Sequence, residues 1–154
     1  MKTLDWRPRR RGPNVANSRD FRLSCSGVSE LELGVADLER AEAFYADTLG
    51  LPVVERRSDA VRVMAGERTR IGLWLSTVPP LAGERGGVHV HFAVHLDEVE
   101  LHPLVEHLEQ RGNAVKLIEF SDGRGRAAYV TDPDGHVVEF WTWDVAGHLA
   151  GRAG

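Results

Sequence analysis

A strand, an aspartate, a helix and a glycine follow one another twice in this chain. Leu31, Leu33 and Val35 alternate with Glu30, Glu32 and Gly34, the period of a half-buried strand. Asp37 then opens a segment with Leu38, Ala41, Phe44 or Tyr45 and Leu49 at helical spacing, and Gly50 closes it. Further along, Val88, Val90, Phe92 and Val94 alternate with His89, His91, Ala93 and His95, after which Asp97 opens a helix and Gly112 ends it. Glu30 and His89 stand 59 positions apart, and Asp37 and Asp97 sixty, so the first strands and helix caps of the two units coincide. In a chain of 154 residues a period that long means two modules sharing a core, not a solenoid.

Each unit continues with three short strands. In the first they are predicted near 53–57, 60–65 and 70–76, and in the second near 114–119, 126–131 and 136–143. Ser58-Asp59, Gly66-Glu67, the run from Ser121 to Gly125 and Asp132-Pro-Asp-Gly135 supply the turns. Pro103 is expected to begin the main part of the second helix after a loose first turn, since proline is tolerated at a first helical position. The expected division is a basic, flexible extension at 1–27, a βαβββ module at 28–78, a Pro/Gly linker at 79–87, a second βαβββ module at 88–144 and a tail at 145–154.

Charge separates the extension from the body. Residues 1–22 carry seven Lys or Arg against Asp5 and Asp20, whereas the remainder carries twelve against twenty-one acids. An acidic body without a recognition motif argues against nucleic acid, and no apolar stretch reaches the roughly 20 residues of a membrane span. Residues 6–17 lack the apolar core of a secretory signal. Cys25, the only cysteine, excludes an internal disulfide or a cysteine metal cluster and is compatible with a cytoplasmic protein.

The stretch from Leu33 to Leu51, LGVADLERAEAFYADTLGL, and the closing Asp132-Pro-Asp-Gly-His-Val-Val-Glu-Phe140 resemble the opening and final strand of vicinal-oxygen-chelate proteins, the glyoxalase and bleomycin-resistance kind. The resemblance runs from about Val28 to Asp144. It implies an α+β fold in which two βαβββ modules form a U-shaped, eight-stranded mixed sheet around a cavity, with the helices outside. It also implies metal ligands at Glu30, His89 and Glu139, where the first position more often holds His or Gln. A fourth ligand late in the first module would fall among Leu73, Trp74 and Leu75. A homodimer whose sites are shared between subunits follows from the same resemblance. Tyr129 matches a substrate-facing tyrosine of the fosfomycin-modifying members, although the run from Ser121 to Arg126 lacks their fuller phosphonate-binding pattern.

Strand parity is consistent with such a site. Glu30 shares a face with Glu32, and His89 with His91. Buried without a cation, two carboxylates and an imidazole must find other partners. Two carboxylates and one imidazole suit one divalent ion of Mn, Ni, Co, Zn or Fe. Glu32, His91 and Tyr129 are the catalytic candidates. Trp141 and Trp143 share parity with Glu139 and, with Trp74, are candidates to line a substrate cavity, where Arg124 and Arg126 can meet an anion. The leading expectation is a metal-dependent lyase, isomerase or thiol transferase acting on a small oxygenated molecule. A metal-free drug-binding protein and an extradiol-type dioxygenase are the alternatives.

Overall fold

The structure, a computed structural model, describes residues 27–76 and 90–144. Strand β1, Glu30–Val35, leads to helix α1, Leu38–Glu42. Asp37 caps α1 by accepting the Arg40 N–H at 3.0 Å. The helix widens into a π-type segment over Ala43–Thr48, where the Leu49 N–H reaches back five residues to Phe44 O at 2.9 Å. Strands β2 (Val53–Arg56), β3 (Ala60–Ala65) and β4 (Thr69–Leu75) complete the first module. The second comprises β5 (His91–His95), helix α2 (Glu98–Gln110), β6 (Lys116–Glu119), β7 (Arg126–Thr131) and β8 (Val137–Trp141).

The eight strands divide into two four-stranded mixed sheets, ordered β1-β4-β3-β2 and β5-β8-β7-β6, and neither closes into a barrel. The pairs β1/β4 and β5/β8 are parallel and the others antiparallel. The α+β arrangement of two βαβββ modules is therefore present. Residues 1–26, 77–89 and 145–154, which include nearly all of the expected extension and linker and the whole tail, lie outside the described residues.

Pro103 departs from expectation, because α2 runs through it from Glu98 to Gln110. Val99, whose carbonyl would have received the missing N–H, is 77% exposed, so water can take its place there. Strand β8 is shorter than expected and ends at Trp141.

One apolar core joins the modules, with Leu33, Val35, Tyr45, Ile71 and Leu73 from the first and Leu101, Leu108, Val130 and Val138 from the second. Polar contacts from a single turn also bind them. Asp132 accepts the Tyr45 hydroxyl at 2.9 Å and the N–H groups of Asp134 and His136. Asp134 accepts the Ala36 N–H at 3.0 Å and Arg40 at 2.9 Å, and His136 Nε2 lies 3.0 Å from Gly34 O. Burial first, then the Asp132 carboxylate, holds the Tyr45 hydroxyl protonated far above the usual phenol range.

Candidate functional site

Strand pairing fixes which residues of the two modules are counterparts. In the first sheet Glu32 faces Gly72, which faces Arg62. In the second sheet Ala93 faces Glu139, which faces Tyr129. The backbone agrees, since the Arg70 N–H bonds Ser29 O and the Val137 N–H bonds Val90 O, both at 2.9 Å. In strand register Gly72 is thus the counterpart of Glu139, Arg62 of Tyr129, and Glu30 of His91. The late position of the first module is Gly72, not one of Leu73, Trp74 and Leu75.

The second sheet gathers a compact polar group. Glu139 sits on the strand between β5 and β7, and its side chain is 9% exposed. Tyr129 donates its hydroxyl to Glu139 Oε1 at 2.7 Å, and His91 Nε2 lies 3.0 Å from Oε2. The His91 and Tyr129 rings meet edge-on at 5.8 Å. Desolvation, followed by the hydrogen bond to Glu139 and that carboxylate's charge, pushes the Tyr129 hydroxyl up to about 12. Tyr129 therefore stays protonated at neutral pH and acts as a hydrogen-bond donor. His91, Tyr129, Thr131 and Val137 line a groove of about 450 Å³ that Lys116 and Ile118 extend.

An aromatic group borders this constellation. The Trp141 and Trp143 rings lie 4.9 Å apart, and with Ala93 and His95 they line a second groove of about 230 Å³. Arg124 lies over Phe120 at 4.9 Å and over both indoles at 5.9 Å, while pairing with Asp122 at 2.6 Å. Arg126 occupies the other parity of β7 and pairs with Glu98 at the start of α2, away from Glu139.

The first sheet carries a different set. Oε1 of Glu30 is 2.7 Å from Arg70 and 3.5 Å from Arg62. Trp74 donates its indole N–H to Glu32. Desolvation raises the Glu32 carboxyl, and its hydrogen bond to Glu30 and that neighbour's charge raise it further. Desolvation acts on Glu30 too, but the bond to Glu32 and the charges of Arg70 and Arg62 bring it below the usual carboxylate range. Of this pair, Glu32 is the one that holds a proton more readily. A Cβ at position 72 would collide with the Glu32 carboxylate, which occupies the space that glycine leaves.

The structure thus brings together His91, Tyr129 and Glu139, with Trp141, Trp143 and Arg124 beside them, and separately Glu30, Glu32 and Trp74. His89 lies outside the described residues. Among the described residues, no three His, Cys, Asp or Glu side chains converge on one metal-sized point. Arg62, Arg70 and Gly72 escaped the sequence reading. Arg62 had a signal, as a lone charge in the apolar strand Ala60–Ala65.

The model of the Glyoxalase/Bleomycin resistance protein/Dioxygenase superfamily matches residues 27–140. The chain belongs to this superfamily. Within it, the chain is 28% identical over 131 residues to Glutathione transferase FosA from Serratia marcescens, covering 80% of this chain and 85% of that protein. It is 27% identical over 129 residues to Metallothiol transferase FosB from Lysinibacillus sphaericus, covering 78% and 84%. A lactoylglutathione lyase from Agrobacterium tumefaciens shares the superfamily fold at a TM-score of 0.64 and 24% identity, over 77% of this chain and 94% of that one. TnmS3, an antibiotic binding protein from Streptomyces sp. CB03234, superposes at 0.61 with 25% identity, over 80% and 100%. Among the described residues, no helix is long and apolar enough to cross a membrane.

Proposed function

We infer that this chain is a metal-assisted enzyme of the lyase, isomerase or thiol-transfer type acting on a small oxygenated substrate. The observation that carries this reading is the hydrogen-bonded group of His91, Glu139 and Tyr129, in which His91 and Tyr129 line the open groove of the second sheet. The donor chemistry fits a divalent cation, because an imidazole nitrogen and a carboxylate oxygen 3.0 Å apart can turn to one ion and both are ligands for Mn, Ni, Co, Zn or Fe. His91 and Glu139 would hold it with Glu30, the counterpart of His91 in the first module. In this reading His91 takes the role expected of His89. A bound cation supplies polarisation of a carbonyl, epoxide or enediolate oxygen. Tyr129, kept protonated, orients Glu139 by donating its hydroxyl to it, and the same oxygen can accept a hydrogen bond from a substrate hydroxyl. Glu32 is the candidate to accept or return a proton.

Glu30 and Glu139 belong to different sheets, so a second copy of the chain is proposed to complete each site by setting the first module of one subunit against the second module of the other. The names of the FosA and FosB relatives support the thiol-transfer branch, and the lone Cys25 fits a cytoplasmic location.

A metal-free binding protein is the second reading. It is favoured by the pairing of Glu30 with two arginines and by the groove beside Trp141 and Trp143. Elemental analysis of protein purified without chelator separates the two. The enzyme reading expects about one divalent ion per subunit in the wild type and in His89→Ala, and its loss in His91→Ala and Glu139→Ala. A wild type that holds no metal, and gains no thermal stability from any of the five ions, leaves the binding protein as the answer.

A further inference from the structure

Arg62 is the single charged side chain of β3 and only 7% exposed, and it occupies the register position that Tyr129 fills in the second sheet. Its Nε and Nη1 are buried and make no hydrogen bond. Glu30 Oε1 at 3.5 Å from Nε and Glu55 Oε2 at 3.0 Å from Nη1 balance its charge without lying along its N–H directions. Leaving such donors unsatisfied is costly. Arg70 reaches the same Glu30 oxygen from β4, at 2.7 Å, with its side chain 41% exposed. The Arg62 guanidinium also lies 4.9 Å from the centre of the Trp74 ring. Arg124 and Arg126 differ, since each already donates hydrogen bonds to a carboxylate, of Asp122 and Glu98 respectively.

We propose that Arg62 and Arg70 are the recognition site for an oxyanion group of the ligand, a carboxylate or a phosphonate, with Trp74 as the adjoining aromatic wall. Two guanidiniums meeting at one carboxylate oxygen present the forked donors that planar or tetrahedral oxyanions accept. Glu30 holds that place when no ligand does, so an incoming anion competes with Glu30 for the same donors. The pair gives the first module a recognition task, while the second carries His91, Glu139 and Tyr129. The proposal rests on the enzyme reading only in taking the ligand to be the substrate.

The test is calorimetric titration of the full chain with phenylphosphonate, benzoate and the neutral benzamide, with metal content measured on the same samples and folding checked by thermal melting. The wild type is expected to bind both anions and not benzamide. Arg62→Gln and Arg70→Gln each weaken anion binding by about ten- to a hundredfold, the range for losing a charge-assisted hydrogen bond. Glu30→Gln removes the competitor and tightens anion binding, even as it lowers metal content. If Arg62→Gln fails to fold, the half-exposed Arg70→Gln and Glu30→Gln decide. Benzamide binding as well as benzoate, or anion binding indifferent to Arg70→Gln, overturns the proposal. Anion binding that follows the arginines in protein that takes up no metal upholds it and removes the enzyme reading instead.

Discussion

Replacing Tyr45 by Phe removes one hydroxyl from the join between the modules and little else. The ring stays in the core against Phe44, 5.2 Å away, so the change opens almost no cavity. What is lost is the 2.9 Å bond from the hydroxyl to Asp132 Oδ2. Asp132 is 4% exposed and its Oδ1 is already engaged by the N–H groups of Asp134 and His136, so Oδ2 is left buried without that donor. A hydrogen bond to a charged group contributes about 1.5–3 kcal/mol, and the burial of the stranded oxygen places Tyr45→Phe in the upper half of that range. For a chain of this size each kcal/mol moves the melting temperature by about 2–4 °C, giving a drop of roughly 5–12 °C. Urea titration should show a lower midpoint at an unchanged slope, since the surface exposed on unfolding stays the same. Combining Tyr45→Phe with Asp132→Ala tests the pairing directly, because the double variant should cost clearly less than the sum of the two. A loss under about 0.5 kcal/mol, or strict additivity, refutes the argument that this bond ties the modules together.

Two further outcomes follow from the sheets. Gly72→Ala should displace the Glu32 carboxylate and break its bond with Trp74 at a cost of about 1 kcal/mol, and that cost should vanish in a Glu32→Ala background; tryptophan emission and urea midpoints measure both. Tyr129 is protonated more firmly when folded than when unfolded, so its contribution to stability is complete below about pH 10 and is lost as pH rises through about 12. The fall over that window should shrink in Tyr129→Phe, and an unchanged profile contradicts the bond to Glu139.

Much of the architecture was legible because alternation and caps are local signals. Leu31, Leu33 and Val35 announce β1, and Asp37 and Gly50 bracket the first helical segment. For the candidate site, alternation gave the face of each strand but not its register. His89 and His91 differ by two residues, so parity cannot separate them, and only the pairing of His91 with Val137 and of Ala93 with Glu139 puts His91 beside the carboxylate. Gly72 was invisible for a related reason, since its significance lies in its neighbours across the sheet. Arg126 and Arg124 looked alike in a glycine-rich turn, yet Arg126 opens β7 and reaches Glu98 of α2, while Arg124 stays in the turn, paired with Asp122 and lying over the tryptophans. Pro103 misled because a helix interior accepts proline when the orphaned carbonyl belongs to an exposed turn.

The turn that launches β8 is anchored to the first module at three alternate residues, Asp132, Asp134 and His136. Its contacts end on Tyr45, on Ala36 and Arg40, and on Gly34, so the strand bearing Glu139 cannot shift without pulling on the strand bearing Glu30 and Glu32. In a dimer whose two sites each draw on both chains, every subunit would then act as a stiff lever between the sites. Occupation of one would be felt at the other through the backbone, making half-of-the-sites behaviour or cooperativity a mechanical property of this turn.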